Sequence, residues 1–255
     1  MNLKHLLGAR VEAGGSIGVV LIGAGKFGSM FLAQVPHIDG LNVVSIVDLL
    51  PDAARQACRT VGWSEALIDS CAFTDDYQEA CKRVDAQVVI DATGSPIAGV
   101  AHALYAFDQG KHVVMVNVEA DALVGPMLAK HARSAGVVYS MAYGDQPALV
   151  AEMVDWARAS GFGVVAAGKG TKYLPEYHEV TPDDVWEHYG LTEAQAVSAG
   201  MNPQMFNSFL DGTKSAIEMA AIANSCRLTV PDDGLLFPPC EVDQLASVLL
   251  SLIHI

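Results

Sequence analysis

Asn207, Asp211, Lys214 and Glu218 are four polar side chains at a spacing suited to moving a proton. If residues 201–226 form one helix, a turn of 100° per residue brings all four into one narrow arc. Phe206, Phe209, Leu210, Ile217, Met219 and Ala220 then fall on the opposite side. An amide, two carboxylates and a lysine in one row can orient a cation and pass a proton to a substrate oxygen. The same row also reads as a solvated face laced with ion pairs three and four residues apart. Gly212 lies inside this stretch. A glycine within a helix is unfavourable by about 1 kcal/mol, which points to close backbone packing there. A second set is Lys169, Thr171 and Lys172, in the turn Gly168-Lys169-Gly170-Thr171-Lys172. Only four basic residues follow Arg158, and two of them lie in this turn. Its amides and ammonium groups can hold an anionic substrate, or the lysines can pair with nearby Glu176 and Glu179.

A third set sits near the amino terminus. The apolar run 17–22 leads straight into Gly23-Ala24-Gly25-Lys26-Phe27-Gly28, then an amphipathic segment, then a β-rich run over 41–47 that ends on Asp48. Strand, glycine turn, helix, strand and acid form the arrangement that holds a dinucleotide. Gly23 permits the tight turn, Gly25 lets a pyrophosphate approach the backbone, and Gly28 lets helix and strand pack closely. The first amides of the helix, at Lys26 and Phe27, face the phosphates. Asp48 accepts from the adenosine ribose, and its charge favours NAD over NADP. In a doubly wound sheet ligands lie at the carboxyl ends of strands, which adds Thr93 and Gly94 after one strand and Asn117 and Glu119 after the next. These four also read as ordinary strand-to-helix loops.

The elements that must position these groups alternate. Helices are expected over residues 51–61, 77–83, 97–109, 126–135 and 148–160. Strands are expected over 86–90, 112–116, 137–141 and 163–167. The strands are apolar runs, as in a parallel sheet covered on both faces. Residues 181–188 read as a short capped helix, and residues 231–255 as turns followed by a helix. Residues 1–14 read as a short amphipathic helix. His112, inside a strand, reads as a core residue. The expected fold is α/β: a Rossmann doubly wound parallel sheet over residues 1–147, then a smaller α/β (α+β) domain over 148–255.

With 255 residues, 51% of them apolar and 17% charged, the chain can bury a large core. A net charge of −14 excludes nucleic acid and anionic membrane surfaces as partners. The five cysteines show no ligand spacing and read as small hydrophobes in a reducing cytoplasm. No apolar run is long enough to span a bilayer.

The runs Gly23–Gly28, 112–121, 143–147, 168–175 and 201–218 resemble homoserine dehydrogenase-like oxidoreductases. They are more similar to the subfamily that carries a C-terminal SAF domain, which includes enzymes resembling 1-deoxy-D-xylulose 5-phosphate reductoisomerase. The resemblance covers about residues 18–246. It implies a Rossmann domain followed by a central catalytic and dimerisation domain, a nicotinamide cofactor (NADPH in the reductoisomerases), and a homodimer. It also makes Lys214 a plausible counterpart of the catalytic lysine, with Asp211 or Glu218 orienting it and Lys172 assisting. A reductoisomerase would further need a divalent metal, Mg or Mn, whose ligands the spacing does not select. The acidic Glu-Pro-Asp-Pro segment of homoserine dehydrogenases is absent, and so is the SAF domain, so the chain is expected to be a fragment with an abrupt apolar tail. The expected function is hydride transfer between a nicotinamide cofactor and a small polar, anionic hydroxy or carbonyl compound. A dinucleotide-binding regulatory protein without catalysis is the rival reading.

Overall fold

A computed structural model describes residues 2–253; His254 and Ile255 of the apolar tail lie outside the described residues. The chain divides into two compact units, Met1–Tyr143 and Gly144–Ile255.

The first unit runs α1 (Leu3–Glu12), β1 (Ile17–Ile22), α2 (Lys26–Gln34), β2 (Leu41–Val47), α3 (Pro51–Thr60), α4 (Glu65–Asp69), β3 (Ala72–Thr74), α5 (Tyr77–Cys81), β4 (Val88–Asp91), α6 (Pro96–Asp108), β5 (His112–Met115), α7 (Val118–Ser134) and β6 (Tyr139–Met141). Its sheet has the order β3-β2-β1-β4-β5-β6, and every pairing is parallel. The chain builds outward from β1 to β3, then returns to the other side of β1 at β4. That reversal opens a crevice at the carboxyl ends of β1 and β4. The unbroken apolar run of β1 follows from burial on both faces, since alternate residues point opposite ways. Val20 and Ile22 pack with Val89, Met115 and Phe107, while Val19 and Leu21 pack with Leu32, Ile46 and Ile68. Cys58, Cys71 and Cys81 lie within these two layers. Burial pushes their thiols up to about 11, 12 and 11, so they act as small apolar side chains.

Several expectations change in detail. Helix α1 buries none of its residues, and Leu3 and Leu6 are 63% and 56% exposed, so it is not amphipathic in packing. His112 is an exposed residue at the start of β5, where its Nδ1 accepts from the Val138 N–H at 3.0 Å. Helix α7 starts at Val118, capped by Asn117, and not at Pro126. Val124 leaves helical geometry (φ −144°, ψ 17°) and absorbs the proline, which has no N–H for the preceding turn.

The second unit contains α8 (Gln146–Ala159), α9 (Val185–Tyr189), α10 (Glu193–Ser198), α11 (Pro203–Leu210), α12 (Thr213–Cys226) and α13 (Leu245–Ile253). Helix α8 packs on α12 through Val154, Ile222 and Cys226. Arg158 reaches the end of α12 and donates to the Cys226 carbonyl at 2.6 Å. The strand expected over 163–167 is absent, and this unit has no strand among the described residues. Residues 201–226 form two helices and not one, because Gly212 takes φ +88°, a left-handed conformation open to glycine. Among the described residues no helix is long and apolar enough to cross a membrane.

The glycine turn makes a stability prediction. A Cβ at Gly28 would collide with the Gly23 carbonyl oxygen, whereas one at Gly25 would meet nothing within 4 Å. Gly28→Ala should therefore destabilise the protein by about 1–3 kcal/mol in urea unfolding, and Gly25→Ala by less than about 0.5 kcal/mol. Equal effects would contradict this packing.

Candidate active site

The first unit brings the glycine turn and Asp48 together at the carboxyl end of the sheet. Gly23 has φ +95°, which sets the turn, and its N–H donates to the Val47 carbonyl at 2.8 Å. Gly25 caps α2 with open space before it. Lys26 and Phe27 follow, both exposed, in the first turn of a helix whose leading amides have no intrahelical acceptor. An open glycine before free helix amides fits a pyrophosphate. Asp48 is held by two backbone N–H groups. Its Oδ2 accepts from the Ala24 N–H at 2.9 Å and its Oδ1 from the Leu50 N–H at 3.0 Å. The carboxylate thus braces the glycine turn from β2, and each oxygen retains acceptor capacity for a ribose hydroxyl.

Beside β1, the end of β4 carries a hydrogen-bonded network. Asp91 is fully buried. Its Oδ1 accepts from the Thr93 N–H at 3.1 Å and from Thr93 Oγ1 at 2.8 Å. Its Oδ2 lies 2.6 Å from His102 Nδ1. Asn117 donates through Nδ2 to Thr93 Oγ1 at 3.2 Å and to the Ser95 carbonyl at 2.8 Å, and accepts through Oδ1 from the Ala120 N–H at 3.1 Å. Only 2% exposed, Asn117 supports the 92–95 loop through these bonds. Gly94 is exposed in that loop. Glu119 lies in the first turn of α7, where the helix dipole favours a negative charge. Asp121, also in this turn, accepts from the Tyr139 hydroxyl at 2.7 Å. Burial raises both groups' pKa values, with the Asp121 carboxylate raising Tyr139 further. Sequence reasoning missed Asp91, His102, Asp121 and Tyr139. Asp91 was visible as a polar residue ending an apolar strand, while His102 and Tyr139 carry no local signal.

In the second unit, the break at Gly212 rearranges the expected row. Asp211 accepts from Asn207 Nδ2 at 2.9 Å through Oδ2 and from the Thr213 N–H at 2.8 Å through Oδ1, so it joins α11 to the start of α12. Glu218, 2% exposed, forms an ion pair with Lys169, and its Oε1 lies 3.8 Å from Lys214 Nζ. Two lysines thus converge on one buried carboxylate. Lys169 is delivered by Gly168, where a Cβ would meet the Met219 side chain. Its N–H donates to Met219 Sδ at 3.4 Å. Thr171 and Lys172 are exposed and are not gathered into this cluster. Asn207 is 6% exposed and its Oδ1 has no partner among the described residues. Exchanging the amide atoms would turn that oxygen towards the Asp211 carboxylate, so the unpartnered atom is an acceptor. Among the described residues no group of three or more His, Cys, Asp or Glu is placed to hold a metal ion.

Two family models match. Residues 17–116 match the oxidoreductase family with an NAD-binding Rossmann fold, GFO/IDH/MocA. Residues 144–252 match the catalytic domain of oxidoreductase DRL. No curated protein matches the sequence. Similar solved structures include a homoserine dehydrogenase from Thiobacillus denitrificans, 19% identical over 56% of this chain and 34% of that one, with TM-score 0.45. Another is the WlbA dehydrogenase from Bordetella pertussis in complex with NADH and UDP-GlcNAcA, 22% identical over 57% and 43%, with TM-score 0.43. A third is myo-inositol dehydrogenase from Lactobacillus casei in complex with NAD(H) and myo-inositol, 17% identical over 62% and 44%, with TM-score 0.45. The chain spans less than half the length of each. The first unit thus matches an NAD-binding Rossmann family over residues 17–116, and the second an oxidoreductase catalytic domain over residues 144–252.

Proposed function

We propose that the protein transfers a hydride between a nicotinamide cofactor and a small polar, anionic hydroxy or carbonyl compound, in the manner of homoserine dehydrogenase-like enzymes. The observation that carries this reading is the Lys169–Glu218–Lys214 cluster, with a buried carboxylate between two part-buried lysines. The ammonium groups of Lys169 and Lys214 beside the Glu218 carboxylate favour an anionic substrate group or negative charge developing on a substrate oxygen. When bound, the nicotinamide supplies or accepts the hydride. The residues of this chain handle the proton. In the reducing direction Lys214 gives a proton to the carbonyl oxygen; in the oxidising direction it takes the hydroxyl proton. Lys169 keeps a positive partner on Glu218 while Lys214 is neutral, so the buried carboxylate is never left unpaired. The free acceptor of Asn207 suits a substrate hydroxyl donor.

The cofactor is proposed to lie with its pyrophosphate on the 23–28 turn, its adenosine ribose at Asp48 and its nicotinamide half by Thr93 and Gly94. NAD is favoured over NADP. The Asp48 carboxylate repels a 2′-phosphate, and Arg55, the nearest basic residue, lies over the Phe73 ring at 4.3 Å from its centroid. The reductoisomerase-like version would call on Mg or Mn. No residue group described above fits such an ion, and no step here runs through one.

A homodimer is proposed to form through the second unit. Met153 and Val165, 69% and 66% exposed, line an apolar groove of about 400 Å³ between α8 and residues 163–168, and Trp156 on α8 is 66% exposed. The amides and carbonyls of residues 163–168 find no backbone partner among the described residues, a state that strand pairing would relieve. Light scattering should give a dimer for the wild type and a monomer for Trp156→Glu/Val165→Lys; a monomeric wild type would contradict the assignment.

The proton-transfer reading is tested with Lys214→Met. Small anionic hydroxy and carbonyl compounds are screened by cofactor absorbance, and the variant is compared on the compound that turns over. Turnover should fall about 10²–10³-fold, roughly 3–4 kcal/mol of transition-state stabilisation, with little change in melting temperature or NADH affinity. Turnover within threefold of wild type would remove Lys214 from the chemistry.

A further inference from the structure

Four residues of the first unit form one continuous hydrogen-bonded chain beneath the 92–95 loop. His102, on α6, lies 2.6 Å from Asp91 Oδ2. Asp91 in turn holds both the N–H and the hydroxyl of Thr93. The Thr93 hydroxyl has a single proton, which it gives to Asp91, so its lone pair is left for Asn117 Nδ2. Asn117 completes the chain on the Ser95 carbonyl. The hydroxyl of Thr93 is thereby fixed in direction from both sides.

His102 is the only member of this chain that can bring a positive charge to Asp91. Its side chain is 12% exposed, against 1% for the carboxylate. A buried carboxylate without a counter-charge is costly, whereas a charge-assisted hydrogen bond satisfies it. The bond to a carboxylate requires the proton on Nδ1. Tyr77 packs against the other side of the imidazole, with ring centroids 4.5 Å apart, and limits its rotation. Gly99, one turn earlier on the same helix face, lets α6 approach, since a Cβ there would lie 2.8 Å from Asn117 Nδ2.

We propose that His102 is a positioning residue for the nicotinamide half of the dinucleotide, acting through Asp91 to hold Thr93 and the 92–95 loop in binding shape. This rests on the dinucleotide reading of the first unit. The adenosine and pyrophosphate side depends on a different set, the 23–28 turn and Asp48, which His102 does not touch. The two halves of the cofactor should therefore respond differently to its removal.

The test titrates wild type, His102→Ala and His102→Asn with NADH and with ADP. ADP reaches only the glycine-turn side. His102→Ala should weaken NADH at least tenfold and leave ADP within twofold. His102→Asn places an amide N–H near the position of Nδ1 and should recover NADH binding to within threefold of wild type. Thr93→Val, which removes the hydroxyl at the far end of the chain, should reproduce the selective loss without touching α6. Equal weakening of NADH and ADP in both His102→Ala and Thr93→Val would show a general structural role and overturn the inference. So would unchanged NADH binding in His102→Ala, or a His102→Asn variant as impaired as the alanine one. A wild type that binds ADP but not NADH would overturn it as well. A wild type that binds neither would defeat the dinucleotide reading and this inference with it.

Discussion

The structure depends first on the approach of α2 to the turn that precedes it. Gly28 sits so close to the Gly23 carbonyl that no side chain fits between them. That contact seats the start of α2 over the end of β1, and the Asp48 carboxylate fixes the turn from the neighbouring strand through the Ala24 N–H. A strand end, the glycine turn that follows it and an acid at the end of the neighbouring strand thus form one corner. Its open side is the space before Gly25. The rest of the first unit extends this corner: β4 lies on the other side of β1, and the Asp91 network at its end shapes the next loop. Preorganised amides and fixed loops of this kind hold a charged ligand without reorganising when it arrives.

The second unit supplies charge of a different kind. Its helical stretch over 201–226 is divided at Gly212. Had residues 201–226 stayed helical, Asp211 would have remained one member of a surface row. The break instead turns Asp211 into the link between α11 and α12, while Glu218 meets Lys214 one turn earlier on α12 and Lys169 from the 168–172 segment. A buried acid between two lysines keeps a partner in either protonation state of one of them.

Much of the first unit was legible because its signals are local. The runs that became β1 and β2 are apolar on both faces, and the glycines that follow β1 have separate steric duties. The three-residue strand β3 left no comparable signal. Pro126 read as a helix start, yet Asn117 caps that helix and Val124 absorbs the proline. In the second unit the run 163–167 has strand composition, but a strand needs a partner, and no described residue provides one. The lysine row was read with a helical period that Gly212 interrupts. Lys169 could not be placed against Glu218 from spacing, because a loop from a distant part of the sequence carries it there. The same holds for His102, whose partner Asp91 lies across a strand-to-helix connection. Contacts that tertiary packing alone creates have no period to read.

The corner at Asp48 is tested most directly by a side-by-side titration of the wild-type protein with NADH and NADPH. The Asp48 carboxylate repels a 2′-phosphate, so NADH should bind at least tenfold more tightly, a difference of about 1.4 kcal/mol. Equal or tighter binding of NADPH would contradict the placement of the cofactor on this corner.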